Sequence, residues 1–330
     1  MPTLTIEQAK DCAAAALIRC RTDPESARIV ARALVAAEAD GLKGHGLSRV
    51  PTYAAQAKVG KVDGFAKPTI EWRRPALAAV DACNGFAYPA IELAIDALPQ
   101  AVRKNGMASA AIRRSHHCGA AGHPVERLAE LGLVGLMFAN TPAAIAPWGG
   151  TKAVFGTNPI AFSCPLRGRA PIVIDMSVSK IARGNILAAK QKGEPIPAGW
   201  ALDSAGRPTT DPAAALDGTM LPLGDAKGTA LALMVELFAA GLTGANFAAD
   251  ASSFLDAKGA PPGTGQLLIA FDPVAFGGDG VIDHFTALAA AIESQPGARL
   301  PGARRIKLRE TARHSGLAIA DALLAEIAAV

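Results

Sequence analysis

The sequence predicts a mixed α/β enzyme subunit with a helical lobe built from its two ends, and three observations lead there. Strand-like and helix-like hydrophobic patterns alternate between about residues 76 and 294. The first 60 residues and the last 20 carry helical patterns alone. No strand is followed by the G-x-G-x-x-G turn of a Rossmann unit, so that fold has no residue support. Of 330 residues, 50% are hydrophobic and 19% charged, which leaves ample material for a large core.

Thr5-Ile6-Glu7-Gln8 reads as a capping box that opens a first helix through about Cys20. Asp23-Pro24-Glu25 starts a second, running to about Asp40 with Ile29, Ala33, Ala36 and Ala37 on its apolar face. A glycine-rich segment, Gly41–Ser48, separates it from a third helix at about Val50–Val59. Strands are expected at Ala76–Asp81 and Met107–Arg113, joined by a helix over Ala87–Lys104 in which Pro99 is a site for a kink. A helix at His123–Leu131, a strand at Val134–Asn140 and a strand pair at Ala161–Pro165 and Pro171–Asp175 follow. Gly193–Gly218 reads as a loop-rich excursion beside a site. Further expected elements are a helix at Lys227–Leu242, a strand at Leu267–Asp272, and helices at Asp283–Ser294 and Ala312–Ala329. The expected division is an N-terminal helical lobe (1–66) that packs with a C-terminal helix (300–330), and a sheet-bearing cofactor domain (67–299).

Composition excludes several function classes. The net charge is +4, and the basic clusters Arg113-Arg114 and Arg304-Arg305 with Lys307 and Arg309 are too short for a nucleic-acid surface. Aromatic residues make up only 5%, too few for stacking platforms. Five scattered cysteines without a CxxC pair suit a reducing compartment and predict neither zinc nor disulfides. The N-terminus lacks the pattern of a signal peptide. The apolar run Ala230–Ala240 contains Glu236 and is far shorter than a membrane span. A cytoplasmic protein with a small anionic ligand, and no nucleic-acid or membrane partner, is expected.

Three clusters carry chemistry. In Gly44-His45-Gly46-Leu47-Ser48-Arg49 a histidine between glycines is open to close approach and suits proton transfer near neutral pH. Arg49 offers a planar fork to a carboxylate, and Tyr53 one turn on shares its helix face. Ser115-His116-His117-Cys118-Gly119-Ala120-Ala121-Gly122-His123 joins a strand to a helix, which suits a cofactor phosphate at a helix N-terminus. Its three histidines lack an acidic companion within the cluster, so no metal is expected. The third comprises Asn140-Thr141-Pro142, Ala146-Pro147-Trp148-Gly149-Gly150 and Gly156-Thr157-Asn158-Pro159, loops with amide and hydroxyl donors for a cofactor's amide and ribose. Asp175 with Ser177 ends a strand where a ribose is held, and Lys227 opens a helix within reach of a phosphate. Ordinary turns, strand ends and helix starts account equally well for this third group.

Taken in order, His45-Gly46-x-x-Arg49, Ser115-x-His117-x-Gly119, Ala146-Pro147-Trp148-Gly149-Gly150, Gly156-Thr157-Asn158-Pro159, Ile196-Pro197-x-Gly199-Trp200 and Pro208-Thr209-Thr210-Asp211-Pro212 resemble the non-Rossmann malate/L-lactate dehydrogenase family. Its members include ureidoglycolate and sulfolactate dehydrogenases, diketogulonate reductase and the Δ1-piperideine-2-carboxylate/Δ1-pyrroline-2-carboxylate reductases. The resemblance implies a sulfolactate dehydrogenase-like fold, a homodimer and a nicotinamide cofactor, NADP more than NAD, without a metal. It implies His45 as proton donor, and Arg49, Tyr53 and Thr157 as substrate contacts. It implies His117, Cys118, Gly119, Ala120, Ala121, Asp175, Met176, Ser177, Lys227, Gly302, Ala303 and Arg304 as cofactor contacts. One departure is informative. The family usually has serine before the histidine, paired in the imine reductases with an aspartate; here those positions read Gly44 and Asn185. A protonated cyclic imine needs least help from an acid, so reduction of a cyclic 2-imino acid is the preferred expectation. A 2-hydroxy-acid dehydrogenase is the alternative, and an inactive cofactor-binding relative the second.

Overall fold

Alternating burial builds the centre of the molecule, a computed structural model that describes residues 2–330. Seven strands form it: β1 (Thr69–Arg74), β2 (Leu77–Asp81), β3 (Met107–Ser115), β4 (Val134–Ala139), β5 (Ile160–Leu166), β6 (Arg169–Met176) and β7 (Thr264–Phe271). The order across the sheet is β1-β2-β3-β7-β4-β5-β6. Ala78 and Val80, Ala108, Ala110 and Ile112, and Leu268 and Ala270 bury at every second position, as a half-covered sheet requires. Only β2 and β3 pair in parallel, joined by helix α4 described below; the other neighbours are antiparallel.

The helices used below are α1 (Ile6–Arg19), α2 (Pro24–Ala39), α3 (Val50–Lys58), α4 (Ala87–Asn105), α5 (Gly122–Glu130), α6 (Arg183–Lys192), α7 (Ala226–Glu236), α8 (Val281–Glu293), α9 (Ala303–Ser315) and α10 (Asp321–Ala329). The capping box is present: Gln8 N donates to Thr5 Oγ1 at 3.1 Å, and Thr5 N to Gln8 Oε1 at 2.9 Å. Asp23 caps α2 by accepting from Ser26 N at 3.1 Å. α4 runs unbroken through Pro99. Helices α4 and α5 cover one core against the sheet, around Ile91, Ile95, Leu98, Leu128 and Met137. A second core joins α1–α3 to Ala312, Leu317, Ile319 and Ile327 from the far end of the chain. A third, around Ile145, Phe155, Ile186 and Met220, lies under the segment after β6.

The chain departs from the expected elements in four places. β1 was not foreseen, because an exposed edge strand reading Thr-Ile-Glu-Trp-Arg-Arg has no apolar alternation. The expected helix at 312–329 is two helices, parted where Gly316 takes φ +75° and Leu317–Ala318 pairs with Thr3–Leu4. Residues 303 and 304, expected in a loop, begin α9. The excursion holds a small sheet of Ala201–Leu202, Pro208–Thr209 and Thr219–Met220, and α6 precedes it. Among the described residues no helix is long and apolar enough to cross a membrane.

Candidate active site

The site begins where α2 ends. Asp40 gives way to Gly41 at φ +76°, and two tight turns, Lys43–His45 and Leu47–Arg49, lead directly into α3. The buried Glu38 carboxylate holds this loop by accepting from Leu47 N at 3.0 Å. A Cβ on Gly46 would lie 2.2 Å from that carboxylate, so the second glycine beside His45 is a packing requirement. Gly44 differs: nothing lies within 4 Å of where its Cβ would be.

His45 and His117 stack with ring centroids 5.2 Å apart and planes 22° from parallel. They come from positions 72 residues apart in the chain, brought together by α3 packing against the end of β3. His117 Nδ1 lies 2.5 Å from the Tyr53 hydroxyl, which is 3.3 Å from that of Tyr88. Burial pushes the Tyr53 phenol up to about 12, so it stays protonated and can donate to His117 Nδ1. In that tautomer the His117 proton sits on Nε2. Tyr53 is fully buried, which corrects its expected place as an open substrate contact: its hydroxyl is spent on His117.

His45 Nδ1 is buried without a hydrogen-bond partner. Burial, then the charge of Arg49, lowers the His45 pKa to about 4, so the ring is neutral at physiological pH. The same two causes hold His117 well below its ordinary value, and His116 at about 3. Arg49 is thus the cation of the pocket. Its Nε donates to Gly44 O at 2.7 Å, and among the described residues it forms no ion pair with a carboxylate. An arginine placed this way is a ready receptor for a ligand carboxylate.

Several of the segments expected to contact the cofactor are neighbours in the fold. Gly122 N, just past the His117–Ala121 turn, donates to Asp175 Oδ2 at 2.8 Å. A Cβ on Gly122 would meet Arg305 Nη1 at 3.0 Å, and one on Gly302 would meet Val173 O at 3.4 Å. The Pro301–Arg304 turn, the end of β6 and the start of α5 therefore adjoin. Beyond Asp175, Met176 is exposed and Ser177 Oγ lies 2.9 Å from Ser179 Oγ. Val178 N donates to Thr157 O at 2.9 Å and Val178 O accepts from Leu223 N at 2.8 Å. These bonds bring Thr157 and the turn leading to Lys227 alongside. Thr157 N donates to Thr141 Oγ1 at 2.9 Å. Gly119, at φ +69°, leaves no room for a Cβ beside the Tyr88 hydroxyl. Cys118 is buried, and burial together with Asp175 pushes its thiol up to about 12, so it is no nucleophile. Lys227 and Arg304 are exposed and form no ion pair among the described residues.

Other expectations are redirected. The Asn140 and Asn158 amides face inward, where both donate to the buried Glu236 carboxylate at 3.1 and 2.7 Å, so neither is open to a cofactor. Asn185 is exposed on α6, and its side chain makes no hydrogen bond among the described residues. His123 leaves the histidine cluster: its Nε2 lies 2.9 Å from Asp40 Oδ2. Asp40, His123 and Glu126 offer ligand atoms within 4.8 Å of one another, a grouping the sequence did not show. Two guanidiniums already neutralise its two carboxylates. Arg309 forks onto Asp40 at 2.7 and 2.8 Å and onto Glu126 at 2.8 and 3.1 Å. Arg305 stands 3.3 Å from Asp40 and 3.5 Å from Glu126. No excess negative charge is left to draw a cation. A partner 269 residues away in the chain leaves no local signal.

A profile of the malate/L-lactate dehydrogenase family matches residues 4–328. The chain belongs to that family. It is 50% identical over 326 residues, 99% of this chain and 97% of the relative, to a (2R)-3-sulfolactate dehydrogenase (NADP(+)) from Chromohalobacter salexigens. A Δ1-pyrroline-2-carboxylate/Δ1-piperideine-2-carboxylate reductase of Pseudomonas aeruginosa is 39% identical over 332 residues, 100% of this chain and 99% of the relative. The crystal structure of a Δ1-piperideine-2-carboxylate reductase from Pseudomonas syringae superposes with a TM-score of 0.94 at 40% identity, covering 99% of each chain. The protein is an NAD(P)-dependent oxidoreductase with the family's own non-Rossmann fold. Its residues fit a dinucleotide: Lys227 and Arg304 are exposed cations that form no ion pair among the described residues, and Gly119 and Gly122 bring bare backbone to the turn at the start of α5.

Proposed function

We propose that the protein oxidises a small anionic 2-hydroxy acid with NADP+, (2R)-3-sulfolactate or a molecule of the same chemistry. The observation that carries this reading is Arg49, a cation without a carboxylate partner, beside a histidine that is neutral at pH 7. Arg49 clamps the substrate carboxylate, and Thr157 flanks the substrate from the facing loop. His45, neutral and with Nδ1 unpaired, accepts the hydroxyl proton. A nicotinamide held in this site would supply the hydride acceptor for the carbon that bears that hydroxyl. His117, held by Tyr53, presents Nε2–H to the developing carbonyl oxygen. Carboxylate binding also cancels part of the Arg49 field, so His45 gains proton affinity once substrate is seated. His117–Ala121, Asp175–Ser177, Lys227 and Gly302–Arg304 would hold the cofactor, and Arg304 or Lys227 would supply the positive charge for a 2′-phosphate.

This reverses the order of substrates expected from the sequence. The 50% identical relative supports it, as does a site whose neutral base suits alcohol oxidation. Reduction of a cyclic 2-imino acid is the second reading. It is favoured by the open space at Gly44 and by the likeness to the Pseudomonas syringae reductase. Initial rates with NADP+ and NAD+ on sulfolactate, malate and lactate, beside NADPH with both cyclic imines, decide between them. A kcat/KM for any imine above that for every hydroxy acid overturns the first reading. In that case Gly44→Ser, which has room for its side chain, tests the ring-space argument through the imine-to-ketone ratio.

The apolar face of α7 supports a homodimer. Leu233 on α7, and Leu237 and Leu242 in the helical segment that directly follows it, are 47%, 52% and 67% exposed. The chain exposes 15122 Å², against about 12,700 Å² for a compact monomer of its mass. The difference is of the size an obligate dimer covers. Leu237→Asp is expected to give a monomer by light scattering.

A further inference from the structure

We propose that Phe254 is the cover of the His116–His117 pair and that Gln56 and Lys61 are positioning residues that fasten it there. Residues 246–263 lie outside any regular helix or strand, yet their centre is held against α3 and the turn after it at three carbonyls, those of Ser253, Phe254 and Asp256. Lys61, just past the end of α3, has a side chain only 1% exposed. Its Nζ donates to Ser253 O at 2.6 Å and to Asp256 O at 3.0 Å, with Asp256 Oδ1 at 3.5 Å. Gln56, fully buried on α3, donates from Nε2 to Phe254 O at 3.1 Å and to Asp256 O at 2.8 Å. An ammonium taken out of water needs those carbonyls as much as the loop needs the ammonium, so the fastening is mutual.

What the fastening holds is a ring. Phe254 is 7% exposed, and its centroid lies 5.2 Å from that of His116 and 5.1 Å from that of His117. Tyr53 stands 5.1 Å from His116, and Phe86 at 5.8 Å completes the aromatic wall. The charged and titratable groups that face the pair are Arg49 and Tyr53 from the α3 side, His45 from the loop before it, and Lys61, which acts on His116. None is a carboxylate, so nothing favours an imidazolium here. Removing the apolar cover admits water, and water is what stabilises the charged ring. The helix that begins just after Arg49 and carries Tyr53 thus carries Gln56, one turn on, as a means of keeping His117 dry.

The test is a histidine C2–H NMR titration of ligand-free protein, with His45 and His117 signals assigned from His45→Gln and His117→Asn. Because no substrate or cofactor is present, it stands apart from the proposed reaction; only the kinetic arm rests on that reading. Phe254→Ala is expected to move the His117 titration up by about one unit toward its ordinary value, while Phe254→Leu, still apolar, leaves it in place. Phe254→Val serves if the alanine variant does not fold. Gln56→Leu, which changes no charge, is expected to move His117 in the same direction, and to add nothing when combined with Phe254→Ala. In kcat/KM, Phe254→Ala should lose activity on the acid side through protonation of His117, in addition to the limb that His45 sets. An unmoved His117 in both Phe254→Ala and Phe254→Val overturns the proposal. So does a Gln56→Leu shift that persists in full when Phe254 is already gone, since Gln56 would then act directly.

Discussion

His116, His117 and His123 lie within eight residues of this chain and meet opposite fates, and His45, from a distant loop, shares the fate of the first two. His123 finds the Asp40 carboxylate and joins a network in which two acids meet two guanidiniums. His45, His116 and His117 find aromatic rings and one arginine, with no acid among them. The first region has its charges saturated and serves as a rivet between α2, α5 and α9. The second is kept dry and one charge short, which is the condition for receiving an anion. Sequence neighbours can thus be divided between holding a fold and working on a ligand, and the partner decides which.

Removing a guanidinium from the network should be the costliest change. Arg309→Met leaves the Asp40 and Glu126 carboxylates without their forks, and a loss of about 3–5 kcal/mol is expected in urea unfolding. A small loss would mean Arg305 alone suffices and the rivet is redundant. In the other region, Arg49→Met should lower kcat/KM by about two to three orders of magnitude while stability changes little. Arg49→Lys should recover part of it, since the charge returns without the fork. The pH profile sharpens the contrast. With His45 as base, kcat/KM is retained above its pKa of about 4 and lost as pH falls through it. Without Arg49 that limb should move to higher pH, though only partly, because burial is the larger cause.

Tyr53→Phe should be milder, about five- to tenfold in kcat at unchanged fold, the worth of one hydrogen bond that holds His117. A last contrast, read in stability rather than in rate, concerns His116. Its pKa is about 3 in the folded protein, so below about pH 6.5 the unfolded chain binds a proton that the native state does not. Stability from this source is present above pH 6.5 and lost on acidification toward 3. His116→Leu should flatten that dependence in urea midpoints measured from pH 8 to 4, and an unchanged slope would show another group to be responsible.

Much of the fold was legible where local chemistry decides it. Thr5–Gln8 and Asp23–Ser26 cap their helices through bonds three residues apart, and the strands that bury one face alternate visibly. β1 was not legible, because an exposed edge has no pattern to keep. The break at Gly316 was hidden inside an alanine-rich helical stretch, and only its pairing with Thr3–Leu4 makes sense of it. At the site, His45 and Arg49 stand four residues apart and could be read together. The hydroxyl of Tyr53 on His117, the Arg309 fork on Asp40 and the carbonyls around Lys61 join positions 64 to 269 residues apart. Periodicity carries no information over that distance. Asn140 and Asn158 misled for a related reason: a polar loop residue shows its chemistry but not its direction.

The pairing of Thr3–Leu4 with Leu317–Ala318 also bears on how the molecule is made. Helices α1 to α3 leave the ribosome ahead of the sheet, yet their core is unfinished until Leu317, Ile319 and Ile327 have been synthesised. The segment that carries His45 and Arg49 must wait, exposed, for almost the whole of translation. Chaperone demand during synthesis should therefore fall on the start of the chain, and a ribosome stalled ahead of codon 317 should display a structured sheet beside an unfolded catalytic lobe.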